Sequence, residues 1–359
     1  MKIVKFKSCI ILSITVLLCF LAGSHGYAVT VSDLVSQVSQ EQYTTYQQTV
    51  QNMGLGLYGG ASYNQGSRGR DGWDGGGSLG NQETNLYLGD RFAGMGLSVT
   101  VQGSYKNVVG ELRGTQTPQK VYIVGAHYDT YGNDEKPGGD DNASGTAGVL
   151  EAARVLSRYS FASTIRFIGF NAEEDWMLGS QDYVNSIVAS GSETIAGMIN
   201  LDMILRPLWD GDQTQQKDAD LTTDSTTPCL AWANKFLNAA SIYTPALAMD
   251  QRNPNTEYWG ASDQAPFIAA GLPAFGVLEN TAYEIWGGSN AYYHSSQDSS
   301  DGLANNPFNP SGVTYDYLFA TDIVRASVAT LAQEAQVIPE PATILLLVFG
   351  GLILRKTKR

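Results

Sequence analysis

Between residues 121 and 278, short apolar runs alternate with longer segments whose apolar residues recur every three or four positions. Val121–Ala126 (VYIVGA), Thr164–Phe170 (TIRFIGF), Gly197–Leu201 (GMINL) and Ala274–Leu278 (AFGVL) have the length and composition of buried strands. Ser144–Arg158 places Val149, Ala153 and Leu156 at helical spacing, with Asn142 or Ser144 as the cap. Trp176–Ser190 suits a second helix. Residues 312–332 suit a last one, with Tyr317, Ala320, Val324, Val328 and Leu331 on one face. Residues 29–53 are polar with scattered Val and Leu, and read as a helical lead-in. This alternation predicts an α/β fold, a mostly parallel central sheet flanked by helices on both faces.

Three segments break the pattern. Residues 59–80 (GGASYNQGSRGRDGWDGGGSLG) are Gly-rich and read as a long loop on the surface or over a cleft. Residues 1–28 have a basic start, an apolar run from Cys9 to Ala22 and then small residues. They read as a secretory signal peptide, cleaved after Gly26 or Ala28. At the other end, Pro339-Glu340-Pro341 precedes an apolar run, Ala342–Leu354, and a basic end, RKTKR. The run is marginal for a span, and the basic cluster would stay on the cytoplasmic side. The tail resembles the PEP-CTERM sorting segment of certain Gram-negative bacteria. That resemblance implies an exosortase-type processing protease as partner and export to the cell surface or medium, with a transient or retained membrane segment. The expected organisation is a signal peptide (1–28), one α/β domain (29–336) and a sorting segment (337–359).

Charge and cysteine usage narrow the chemistry. The chain carries 35 acidic against 22 basic residues, a net charge of −13, and seven of the basic residues lie at the extreme ends. So acidic a body repels phosphate backbones, which argues against nucleic-acid binding. Cys9 and Cys19 lie in the leader, which leaves Cys229 alone in the body. Neither an internal disulfide nor a zinc–thiolate site can then be built.

Polar residues gather where the strands end. His127 and Asp129 follow the first strand, Glu173 and Glu174 the second, and Asp202 the third. Ligands of open parallel sheets bind outside the carboxyl ends of the strands. Gly138-Gly139-Asp140-Asp141-Asn142 adds two acids just before a helix start, where one can hold a metal and the other cap the helix. Carboxylates so crowded repel one another unless a cation neutralises them. The mixture of His and carboxylate suits zinc, and the ligand supply suits two ions, with manganese or cobalt as substitutes. Of the three histidines, His25 belongs to the leader, so His294 in YYHSSQDS is the second imidazole for such a centre. Asp129 beside His127 suits a carboxylate that orients a metal-binding imidazole.

Taken in order, GAHYDT (125–130), PGGDDNASG (137–145), NAEEDWMLGSQDY (171–183), NLDM (200–203), SDQAPF (262–267) and YYHSSQD (292–298) resemble the co-catalytic zinc aminopeptidase and glutamate carboxypeptidase family. The resemblance spans roughly residues 82–333. It implies two zinc ions, with His127 on one and His294 on the other, Asp140 bridging, and Glu174 and Asp202 completing the sets. It makes Glu173 the general base. Asp129 would support His127, and Asp141 would support the bridging aspartate. Two departures stand out. Gln264 occupies a position where many members have His, and no cysteine pair flanks the Tyr258–Ser262 loop. Tyr258 or Trp259 is a candidate for the oxyanion or side-chain pocket.

The expected function is a metallo-exopeptidase acting on peptide or protein substrates, releasing amino-terminal residues. A glutaminyl cyclase of the same architecture and a non-catalytic binding module are the competing readings. A carboxypeptidase would need a cation for the free carboxylate. Arg206 is placed for that role, though it reads more readily as a packing or surface residue.

Overall fold

The computed structural model describes residues 29–54, 70, 77–132, 136–207, 218–251, 260–280, 290, 292–299 and 315–338. The proposed signal peptide, most of the Gly-rich loop, Tyr258, Trp259 and the Pro-Glu-Pro tail lie outside them. No helix among the described residues is long and apolar enough to cross a membrane.

Eight strands form one sheet: β1 (Ser98–Gln102), β2 (Asn107–Leu112), β3 (Thr117–His127), β4 (Ser163–Phe170), β5 (Thr194–Leu201), β6 (Asp218–Thr222), β7 (Ala248–Gln251) and β8 (Ala274–Leu278). Their spatial order is β1-β2-β4-β3-β5-β8-β6-β7. The centre, β4-β3-β5-β8, is parallel as expected. The edges are mixed: β1, β2 and β4 pair antiparallel, β6 runs antiparallel to β8, and β7 is parallel to β6. The central strands are apolar runs with little alternation because both faces are covered.

Among the described residues, eight helices surround the sheet: α1 (Val31–Val35), α2 (Gln40–Gly54), α3 (Leu79–Gly94), α4 (Ala143–Leu156), α5 (Leu178–Ser190), α6 (Thr227–Tyr243), α7 (Gln264–Ala269) and α8 (Tyr317–Glu334). On one face, Val121 and Ile123 of β3 join Tyr183, Val184 and Ile187 of α5 and Phe267 of α7 in a single core. On the other, Tyr122 meets Trp232 of α6 at a ring separation of 5.5 Å. Helix α4 is buried around its whole circumference except at Arg154, as befits a helix enclosed on all sides.

Helix α4 also explains how the sheet edge becomes a site. Asn142 caps it, accepting the Gly145 N–H at 2.8 Å and donating to the Leu201 carbonyl at 3.0 Å. A Cβ at Gly145 would run into that same carbonyl, so glycine lets the helix begin against the end of β5. The register sets His127 opposite Phe170, and Gly125 opposite Asn200. The ends of β3, β4 and β5 therefore lie level, and the loops after them open onto one edge.

A candidate metal centre at the sheet edge

His127 is the last residue of β3 and is 1% exposed. Its Nδ1 lies 3.5 Å from Asp129, and its Nε2 lies 3.4 Å from Asp141 and 3.3 Å from Asp202. The Asp129 carboxylate also accepts the backbone N–H groups of Glu173 and Glu174, both at 3.2 Å. One buried carboxylate thus ties the loop after β3 to the loop after β4. Asp202, just past β5, receives the Ser262 hydroxyl at 2.6 Å. The Asn200 amide donates to Ser262 at 2.8 Å and to Gln264 at 2.9 Å. Gln264, the departure from the family pattern, therefore stands behind Asp202 in a chain of hydrogen bonds.

His294 arrives on a turn, not a strand. Its Nε2 lies 3.3 Å from the second oxygen of Asp141 and 3.0 Å from Glu174. The ring lies between Tyr131, parallel at 4.1 Å, and Tyr293 at 3.7 Å. Lys136 sits 4.6 Å from the Tyr131 ring centre.

One expected assignment is reversed. The resemblance made Asp140 the bridge and Asp141 its support, but Asp141 stands between the imidazoles. Asp140 points the other way. Its carboxylate accepts the Leu205 N–H at 3.1 Å and faces the Asn290 amide at 3.5 Å. The turn before α4 causes this. The Asp298 carboxylate accepts both the Asp140 and the Asp141 backbone N–H, at 2.9 and 3.0 Å, and is itself held by the Tyr315 hydroxyl at 2.7 Å. With consecutive amides pinned to one carboxylate, the two side chains diverge.

The electrostatics follow from crowding. Burial opposes charging His127, but Asp202, Asp129 and Asp141 outweigh it and hold its pKa well above the usual value. For His294, burial is likewise outweighed by Asp141 and Glu174, and the pKa rises to about 9. Burial would raise Asp141, yet the two imidazoles drive it below the usual carboxylate range. Burial, with Asp141 beside it, pushes Glu174 up to about 8. Glu173 is raised well above its ordinary value by desolvation, with Glu174 and Asp263 adding repulsion.

Among the described residues, three donor sets at this sheet edge have ligand atoms within 4.8 Å of one another: His127, Asp141 and Asp202; Asp141, Glu174 and His294; and His127, Glu173 and Glu174; a fourth set, Asp218, Asp220 and Asp250, contains no histidine. The first two share Asp141. Glu174 Oε1 and His294 Nε2 are buried atoms that make no hydrogen bond. Imidazole nitrogens facing carboxylate oxygens at these distances suit a divalent cation, and the donor types suit zinc. These groups border a cavity of about 350 Å³, whose remaining wall includes Trp176, Met177, Met203, Ala261, Leu278 and Tyr293.

Arg206 is not in that wall. Its guanidinium donates to Asn290 at 2.6 Å and lies 4.1 Å from the Tyr292 ring centre, which agrees with a packing role. Sequence reasoning passed over Tyr131, Asn200, Ser262 and Arg70. The first three lie in or beside GAHYDT, NLDM and SDQAPF, so inspecting the motifs' flanks could have found them. Arg70, fully buried, donates to the carbonyls of Tyr128, Pro137 and Gly138 at 2.8, 2.5 and 3.0 Å, which bind the loop after β3 together. Nothing in its Gly-rich surroundings signals this.

The chain is similar to several known proteins. It is 29% identical over 239 residues to a probable lipoprotein aminopeptidase, LpqL, of Mycobacterium tuberculosis, covering 61% of this chain and 46% of that one. It is 32% identical over 201 residues to leupeptin-inactivating enzyme 1 of Streptomyces exfoliatus, covering 51% and 40%. The matches thus span less than half the length of these relatives. The fold matches that of the LapA aminopeptidase of Legionella pneumophila with a TM-score of 0.66 at 22% identity, over 85% of this chain and 74% of that one. The model of peptidase family M28 matches residues 107–310, a stretch that includes every residue of both candidate metal sets, and the chain belongs to that family.

Proposed function

We propose that this protein is a two-zinc exopeptidase that removes residues from the amino end of peptides. The observation that carries the reading is the Asp141 carboxylate, with one oxygen toward His127 and the other toward His294. His127 and Asp202 would hold one ion and His294 and Glu174 the other, with Asp141 common to both. Bound zinc would supply Lewis acidity to the scissile carbonyl and to water. Glu173 takes the proton of the attacking water and returns it to the departing amine. Asp129 keeps the His127 ring oriented and, through the amides of Glu173 and Glu174, fixes where those side chains begin.

Among its described residues the cavity wall contains no Lys or Arg and several acids. That favours a substrate's α-ammonium over its carboxylate, and so an aminopeptidase over a carboxypeptidase. The leader-like residues 1–28 and the Pro-Glu-Pro tail suit an exported enzyme with a processed end.

The test is a set of peptides with free or blocked termini, assayed beside zinc content. Cleavage that requires a free amino end, with close to two zinc ions per chain, supports the reading. Cleavage that requires only a free carboxyl end would make the enzyme a carboxypeptidase. One zinc with cyclisation of amino-terminal glutamine would make it a cyclase, and full metal with no turnover a binding module. Intact-mass analysis of the exported protein tests the ends, since retention of Arg359 contradicts a processed tail.

A further inference from the structure

We infer that Trp176 is a specificity-determining platform for an apolar or aromatic residue on the leaving side of the cleaved bond. This rests on the exopeptidase reading above. Trp176 is 86% exposed, yet it lines the same cavity as Glu173 and Glu174. An indole left in water is costly where it serves only packing, and here it packs against little.

The backbone makes the exposure more telling. Trp176 has φ +70° and Met177 φ +60°, consecutive left-handed residues, in a turn that opens with Ala172 at φ +55°. For a bulky side chain this region is strained, and strain of this kind collects at functional sites. The turn is also rigid. The Met177 N–H bonds the Glu173 carbonyl at 2.7 Å, and the Leu178 N–H bonds the Ala172 carbonyl at 2.9 Å. The indole is therefore presented outward by a fixed frame, three residues from the candidate base.

Its position at the mouth indicates which part of a substrate it meets. In an exopeptidase that acts at the amino end, the first residue lies at the closed end of the cavity. Met203 and Leu278 are buried apolar residues of the cavity wall, whereas Trp176 is the most exposed of the large apolar side chains that line it. The rest of the peptide must leave through the mouth, past Trp176. A flat aromatic face offers stacking and apolar contact to the residue after the cleaved bond.

The experiment compares Leu-Phe-Ala, Leu-Ala-Ala and Phe-Ala-Ala as substrates of the zinc-loaded full chain, its Trp176→Gly variant and its Trp176→Phe variant. Removal of the ring should lower the preference for Leu-Phe-Ala over Leu-Ala-Ala, read as the ratio of kcat/KM, roughly three- to tenfold. Trp176→Phe should keep most of that preference, and the ratio of Phe-Ala-Ala to Leu-Ala-Ala should hold. Because glycine accepts a left-handed φ, Trp176→Gly should also melt no lower than the parent, so lost selectivity cannot be ascribed to unfolding. An unchanged Leu-Phe-Ala preference in a folded, active Trp176→Gly protein overturns the proposal and leaves the exopeptidase reading intact. Calorimetric binding of the same peptides to Glu173→Gln protein, with and without Trp176→Gly, separates the other case. Selective weakening of Leu-Phe-Ala binding without turnover by the parent would keep the platform and sink the exopeptidase reading.

Discussion

Asp140 and Asp141 are neighbours in the chain, yet their carboxylates face opposite environments, one toward the Leu205 amide and the other toward two imidazoles. On the two-zinc reading proposed above, Asp141→Asn should drop bound zinc below one ion per chain. Asp140 sits beside Asp298 and Glu279, and burial followed by Asp298 raises its pKa to about 8. Much of it is then protonated at neutral pH, so an amide is a close mimic. Asp140→Asn should keep both ions and cost no more than about 1 kcal/mol of stability. Zinc analysis after dialysis decides, and loss of metal from Asp140→Asn but not from Asp141→Asn would restore the reversed assignment.

The adjacent glutamates should fail differently. Glu173→Gln keeps shape and metal but removes the proton acceptor, so kcat should fall by about a hundred- to ten-thousandfold with KM little changed. Glu174→Gln replaces an anionic partner of His294 with a neutral one, so excess zinc should partly restore its activity. If zinc rescues Glu173→Gln instead, while Glu174→Gln keeps its metal and is inactive, the roles are exchanged.

Stability of the metal-free protein should decline as pH rises. His294 is raised from 6.5 to about 9, Glu174 from 4.5 to about 8, Asp140 from 3.8 to about 8, and Asp263, by burial, from 3.8 to about 7. All four shifts are upward, so the folded state binds more protons than the unfolded chain across this range, and alkali removes that advantage. Asp141 shifts downward, but its contribution is lost only in acid below its ordinary pKa. Zinc binding needs deprotonated imidazoles, so stabilisation by zinc should grow with pH. Melting curves at about pH 5.5, 7 and 8.5, with and without chelator, check both slopes. A chelated protein whose Tm rises over this range contradicts the scheme.

The parts that were legible in sequence were those written as runs. Ala274–Leu278 is read with its true ends, and Thr164–Phe170 is short by one residue of β4. Helix α5 begins at Leu178 and not Trp176, because Trp176 and Met177 adopt left-handed backbone that no apolar period encodes. The edge strands β1 and β2 and helix α3 were missed. They are short or mixed in polarity, and the sheet and neighbouring helices hold them more than their own periodicity does. His127, Glu174 and Asp202 were named because they follow strand ends, and His294 because it is the second histidine of the body, while Asp141 was named only as a support. What pattern cannot supply is direction. Asp140 and Asp141 have one chemistry, and only the amides pinned by Asp298 set them apart.

Arg70 should matter to folding well beyond what its Gly-rich setting suggests. Burial lowers its pKa to about 10, with Asp298, Asp141 and Asp129 opposing, so it stays charged at neutral pH. Arg70→Met strips side-chain donors from four buried carbonyls, those of Val50, Tyr128, Pro137 and Gly138, and we expect a loss of about 3 kcal/mol or more. Urea denaturation measures it. A change within about 0.5 kcal/mol, the range of an ordinary surface substitution, would mean that other donors replace the guanidinium.

His127, Glu174 and Asp202 leave from strand ends, whereas His294 rides on the 292–299 turn between two tyrosine rings. On the two-zinc reading, a centre anchored half on a sheet and half on a turn should not surrender its ions at one rate. The turn side should empty first when a chelator passes through, and refill last. The past of a sample then becomes part of its chemistry: two preparations of identical sequence, one purified through a chelating step and one not, would differ in activity until traces of metal in the buffer erased the difference.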